Sequence, residues 1–328
     1  MQRYSHRFLL WGLFVILLVL IIISSNAGPL KSPFSQLSSL SLDFNSLNIW
    51  LNIRLPRILL AVIVGMALAT SGAVMQGLFR NPLADSGLLG ISSGAGLMVG
   101  LSILFPAIFP PIMMLYGKMV AAFLGSLFIC LLIYIYSLNA QCNLAKMVLL
   151  GVAINAILGA VMGCLSYISD EAQLRQISLW SMGHLGKGSW ELVFVAASLI
   201  IPALCVVFLL SHQLNILQLG DEDAHYLGVN VLRLKRYLLV LSAILIGTSV
   251  AVSGSIAFVG LVVPHMIRLR IGANHAVLLP ASALAGASLL LLADTLARTV
   301  VAPTEIPVGL LTSLIGGPYF LWLILRHK

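Results

Sequence analysis

Charge is what this sequence has least of: 9% of its 328 residues are Asp, Glu, Lys or Arg, while 60% are hydrophobic. That balance excludes a water-soluble globule, because one core cannot hide so much apolar surface, and it assigns the surplus to lipid. Acids are the scarcer sign, ten against 18 cations. Asp85, Asp294 and Glu305 sit at or near the ends of apolar runs, which argues against a proton- or sodium-coupled carrier, a class that needs an acid near the bilayer middle. The net charge of +8 comes from cations scattered singly between apolar runs, so no nucleic-acid partner is expected.

Cysteine is limited to Cys130, Cys142, Cys164 and Cys205, isolated from one another and lacking metal-ligand or redox spacing, and they read as packing residues. No His/Glu/Asp pair recurs at i, i+4 on one apolar run and no Ser/His/Asp arrangement can be proposed, so neither catalytic nor metal-binding residues are assigned. A phosphate loop is missing too. The nearest approach, Gly183-His-Leu-Gly186-Lys187-Gly188, lacks the Ser/Thr after Lys and a first glycine at the required spacing. Any ATP hydrolysis linked to this chain would therefore belong to a partner, and no cofactor is expected in the chain itself.

Apolar length is what remains. Runs able to cross a hydrocarbon core of about 30 Å occupy 8–24, 55–77, 87–105, 115–137, 144–166, 192–211, 237–253, 256–266, 276–300 and 308–325. The expected fold is all-α and polytopic, about ten membrane helices in a single domain over 1–328. The eighth run is short, with Gly254 just before it and Gly260 within it, so it reads as a half-span whose irregular backbone must be buried in protein. Arg3, Arg7, an apolar run and Ser25-Asn26-Ala27 also fit a cleaved signal peptide; the length of the run and the hydrophobic span that follows favour a retained helix. Ten spans put both termini on one side, and a cytoplasmic N-terminus places eleven of the 18 cations inside, as the positive-inside rule requires. Glycine pairs at Gly90/Gly94, Gly96/Gly100 and Gly159/Gly163 predict close helix approach within a tight bundle.

One compact acidic stretch interrupts the oil. Leu-Gly-Asp-Glu-Asp-Ala-His-Tyr-Leu-Gly occupies 219–228, inside a loop of about 214–231 between the sixth and seventh spans, on the cytoplasmic side. Asp221, Glu222 and Asp223 follow Gly220, where acids favour a helix N-terminus, and Gly228 can end that helix in a left-handed cap. Alone, the stretch is either a solvated connection or a contact for another protein. On the opposite side Arg54 and Arg57 bracket Pro56, and Arg298 closes the ninth span. Each can snorkel to lipid phosphate, or the three can present cations to an acidic partner.

The flanking motifs carry a resemblance. Arg54-Leu-Pro-Arg57, Ser71-Gly72 with Gln76, Arg80-Asn-Pro-Leu-Ala84 and Gly87-Leu-Leu-Gly90 resemble the N-terminal signature of type II ABC-importer permeases for iron chelates, haem and cobalamin. Leu219-Gly-Asp-Glu222, Leu227-Gly-Val229, Phe258-Val-Gly-Leu-Val-Val-Pro-His265-xx-Arg268, Asp294-xxx-Arg298, Glu305-Ile-Pro-Val-Gly309 and Gly317-Pro-Tyr-Phe320 are similar to its later signatures. The resemblance runs from about Ile53 to the C-terminus and implies the type II importer fold in a bacterial inner membrane, with two copies enclosing a path on their shared axis. It implies that Gly220, Asp221, Glu222, Ala224, Leu227 and Gly228 couple the permease to a cytoplasmic ATPase dimer that binds ATP and Mg. It also implies that Arg54, Arg57 and Arg298 meet glutamates of a periplasmic substrate-binding protein.

The cargo is harder to read. The same resemblance places the second and fifth spans along the path, with a gate helix over about 173–182. Candidate path residues are Arg175, Met66, Met162, Trp180 and His184. Arg175 could pair with a cargo carboxylate, although Asp170 and Glu171 are equally available to it. His265 and His275 read as structural hydrogen-bonding residues rather than iron ligands. Near absence of charge in the second and fifth spans suits a large planar apolar cargo, so haem is preferred, with a ferric siderophore or cobalamin as the alternative.

Overall fold

The computed structural model of the chain describes residues 2–27, 44–82, 84–108, 117–137, 144–186, 188–302 and 304–326. Cys142, Lys187 and most of the polar segment 26–52 lie outside them or at their edges. In chain order the helices are α1 (Gln2–Asn26), α2 (Phe44–Ile49), α3 (Leu55–Leu78), α4 (Ile91–Leu104), α5 (Gly117–Ser137), α6 (Leu144–Ile168), α7 (Glu171–Ser181), α8 (Trp190–Leu209), α9 (Ser211–Leu217), α10 (Asp221–Tyr226), α11 (Val231–Ser253), α12 (Val259–Ile271), α13 (His275–Thr299) and α14 (Val308–Arg326). Seven of these lie in segments long and apolar enough to cross a membrane, α1, α3, α5, α6, α8, α11 and α13, and α4, α12 and α14 are shorter. Together they account for the ten expected spans.

α3 is the hub, packed against α13, α11, α12 and α8, and 78% of its apolar window is buried. Small residues permit this. A Cβ at Gly65 would stand 2.5 Å from the Gly286 carbonyl oxygen of α13, and one at Gly72 would fall on the Gly260 carbonyl of α12. In lipid such close backbone contact does the work that hydrophobic exclusion does in water. Of the glycine pairs read from spacing, Gly94 packs against α5 at Gly125, whereas Gly159 and Gly163 have nothing within 4 Å. They lie on α6, only 11% of whose window is buried. Spacing marks a smooth face; it does not say what covers it. Some buried hydroxyls in these helices are satisfied locally, as where Ser249 and Thr295 donate to the carbonyls four residues earlier at 2.7 Å; those of Thr70, Ser242, Thr248 and Ser282 have no hydrogen-bond partner among the described residues.

The half-span is borne out. α11 ends at Gly254 (φ 72), an irregular stretch follows, and Phe258 caps α12 with φ 68. Around that stretch freed backbone is taken up by protein: His184 N donates to Ser253 O at 2.7 Å and Gln76 Nε2 to Leu261 O at 3.0 Å. α1 packs on α13, with Ser24 and Ser25 buried. The cysteines divide: Cys130 is buried, as a packing residue should be, while Cys164 and Cys205 lie exposed on helix faces.

Candidate functional site

At one end of the bundle the acidic stretch forms α10. Gly220 (φ 138) turns the chain into it and Gly228 (φ 85) turns it out. Gly228 N donates to His225 O and Val229 N to Ala224 O, both at 3.0 Å, the paired bonds of a left-handed helix cap. The six expected coupling residues separate by exposure. Asp221, Glu222, Leu227 and Gly228 are exposed, Gly220 is half-buried, and Ala224 is fully buried. Ala224 therefore anchors the helix and cannot itself be a contact surface. Beside the exposed acids stand Leu219, Tyr226, Leu227 and Leu232, all largely exposed; an apolar patch rimmed by charge is the composition of a protein contact.

α9 is fastened to the start of α13. Asn215 Oδ1 accepts from His275 N at 2.7 Å, Asn215 Nδ2 donates to Asn274 Oδ1 at 2.9 Å, and Gln218 Nε2 lies 2.7 Å from His275 Nδ1. His275 is fully buried, which bears out its structural reading.

The opposite end holds a cluster of charge. The sequence reading has Arg54, Arg57 and Arg298 facing outward to a partner; the structure turns all three inward, at 5%, 7% and 6% exposure. Their acceptors explain it. Arg57 Nε lies 3.0 Å from both oxygens of Asp294, its Nη2 2.9 Å from Asp294 Oδ1, and its Nη1 2.8 Å from Glu305 Oε1. Two acids leave one of three cations unbalanced, and the last turn of α1 supplies the remainder. Arg298 Nη2 donates to Ser24 O at 2.5 Å and Arg54 Nη1 to Ser25 O at 2.9 Å, where helix carbonyls carry partial negative charge. Buried cations persist only when paired in this way. Asp294 and Glu305 are the members that the sequence reading left unassigned. Asp294-xxx-Arg298 was the available signal, since i, i+4 residues share a helix face.

Near this cluster lies α7, the expected gate helix, begun by a capping box in which Asp170 Oδ1 accepts from Gln173 N at 2.8 Å and Gln173 Oε1 accepts from Asp170 N at 3.1 Å. Asp170 is thereby committed to the cap, and Arg175 is exposed. Under α7 is a cavity of about 590 Å³. Trp180 and His184 line it with Arg57, Lys118, Gln176 and Glu305, so two of the five expected path residues share one space. The other three do not line it. Met162 packs against Gly100 of α4, and Met66 is half-buried on α3. Of the second and fifth spans, α3 is mostly enclosed within the subunit and α6 is largely exposed on it.

The comparisons with known proteins agree with this architecture. A hemin transport system permease protein of Yersinia pestis is 60% identical over 326 residues, covering 99% of this chain and 98% of the relative. A vitamin B12 import system permease protein of Klebsiella pneumoniae is 40% identical over 328 residues, covering 100% and 96%. A solved ABC transporter assigned to the metal-chelate type, in an inward-facing conformation, superimposes with a TM-score of 0.87 at 35% identity, covering 97% of this chain and 98% of the other. The profile of the FecCD transport family matches residues 16–326, and the chain belongs to that family.

Proposed function

We propose that this chain is the permease subunit of an ATP-driven importer that carries haem across the inner membrane, working as two copies with an ATPase dimer on the cytoplasmic side and a substrate-binding protein on the other. The observation that carries the cargo is the 60% identity, over nearly the whole of both chains, to a permease named for hemin transport. Relatives named for vitamin B12 stand at 40%, which keeps cobalamin as the second reading. The exposed patch of Leu219, Tyr226, Leu227 and Leu232 beside Glu222 and Asp223 supports ATPase docking at α10. Trp180 and His184, on the cavity under α7, are the path residues best supported; Met66, Met162 and Arg175 contribute through position alone. Arg54, Arg57 and Arg298 are better suited to hold the binding-protein face in shape than to touch the partner, because all three are buried, Arg57 is bound to Asp294 and Glu305, and one guanidinium nitrogen of each of the other two donates to a backbone carbonyl of α1.

The test is reconstitution. Proteoliposomes holding this permease and its ATPase, given the binding protein loaded with haem or with cobalamin, should accumulate haem in an ATP-dependent manner and discriminate against cobalamin. ATP hydrolysis stimulated by the loaded binding protein without accumulation of either cargo would sink the importer reading; accumulation of cobalamin alone would move the cargo to the second reading.

A further inference from the structure

Three consecutive acids open α10, and the structure uses them differently. Asp221, although its side chain is 49% exposed, has both carboxylate oxygens engaged within the subunit: Arg80 Nη2 pairs with Oδ1, and Lys235 Nζ stands 2.5 Å from Oδ2. Glu222 and Asp223 are exposed, and among the described residues neither has an ion-pair partner. The two cations come from different helices. Arg80 lies just past the end of α3, and Lys235 sits in the second turn of α11. Arg80 also has φ 49, a left-handed backbone that a long side chain rarely adopts. Glycine would sit there without strain, so the site keeps a guanidinium at a conformational cost.

α3 and α11 span 24 and 23 residues, about 35 Å each at helical rise. Their far ends meet the cavity under α7, α3 through Arg57 and α11 through Ala251 and Val252. One carboxylate thus joins the helix expected to touch the ATPase to two rods that end at the expected gate. The joint to α13, made by Asn215 and Gln218, contains no carboxylate. From this division we infer that Asp221 is a positioning residue: it transmits displacement of α10 to α3 and α11, while Glu222 and Asp223 supply the charge that docks the ATPase.

This rests on the importer reading, and the experiment separates the two. Proteoliposomes with ATPase and haem-loaded binding protein report haem delivered per ATP hydrolysed, and surface plasmon resonance on the same permease in nanodiscs reports ATPase affinity. Asp221→Asn should lower haem per ATP by at least about fivefold, the lower edge of common site-to-site coupling, with ATPase affinity within about threefold of wild type. Asp221→Glu should recover most of the ratio. Glu222→Gln with Asp223→Asn should weaken ATPase binding at low salt by about tenfold. A wild-type ratio in Asp221→Asn overturns the inference, as does a loss of ATPase affinity matching that of the docking pair. Should Asp221→Asn fail to insert, Arg80→Gly relaxes the backbone while removing one cation and must reproduce the lower ratio; a wild-type ratio there overturns it equally. A wild-type permease that captures no ATPase refutes the importer reading and this inference with it.

Discussion

Replacing Asp294 with alanine should destabilise the protein far more than replacing Glu305 with glutamine, although both acids bind the same guanidinium. Asp294 is wholly buried, whereas the Glu305 side chain is 48% exposed. Asp294→Ala strips Arg57 of the partner of its Nε and Nη2 groups and removes the nearest acid from Arg298, whose Nε stands 3.9 Å away. Arg57 then keeps only the half-exposed Glu305, and the buried Arg298 keeps no acid; a buried pair broken from one side costs about 3–5 kcal/mol. Glu305→Gln leaves an amide oxygen for Arg57 Nη1 at a site water reaches, where an ion pair contributes about 1 kcal/mol or less. The gap of at least about 2 kcal/mol is roughly thirtyfold in the folding equilibrium. Unfolding in mixed micelles with increasing dodecyl sulfate, followed by circular dichroism, measures it. Because removing both charges is cheaper than stranding one, Arg57→Met with Asp294→Leu should be less damaging than Asp294→Ala alone. Equal destabilisation by Asp294→Ala and Glu305→Gln would show that the cluster is hydrated, and the argument from burial would fail.

Other consequences are as direct. Gly72→Ala places a methyl on the Gly260 carbonyl and should force α3 from α12, costing about 1–3 kcal/mol by overpacking and lowering the yield of folded protein on size-exclusion chromatography; a wild-type yield would contradict the packing. Ser24→Val removes the hydroxyl that accepts from Arg298 and lies 3.0 Å from the Thr295 hydroxyl and should cost about 1–3 kcal/mol as buried polar groups lose a partner, read as a lower midpoint in the same micelle titration. Gly228→Pro cannot adopt φ 85 and removes the N–H that donates to His225 O, so it should deform the end of α10 by about 3 kcal/mol and weaken ATPase capture; retained capture would detach the cap from docking.

What could be read without coordinates was whatever depends on one stretch of chain. Apolar length gave the ten helices, and the short eighth run with Gly254 just before it gave an interrupted span, because a lipid-facing backbone has few conformations open to it. Gly228 was legible for the same reason: acids at 221–223 and a glycine five residues on describe a helix with both ends marked. Pairing between distant segments was not legible. Gly65 and Gly286 are 221 positions apart in the numbering and show their purpose only when α3 lies on α13, while Gly159 and Gly163, with ideal spacing, meet nothing within the subunit.

The burial of the arginines was illegible for a related reason. The side of the membrane on which Arg54, Arg57 and Arg298 fall fixes depth along the normal but not direction around the helix. Direction depends on acceptors. Asp294 comes from α13, Glu305 from the segment before α14, and the carbonyls of Ser24 and Ser25 from α1. No single one of these makes burial affordable; two carboxylates and one helix C-terminus together balance three cations. The ends of α1, α3 and α13 that meet there are therefore tied through one electrostatic knot, and a substitution at any one of the three arginines should be felt by all three helices.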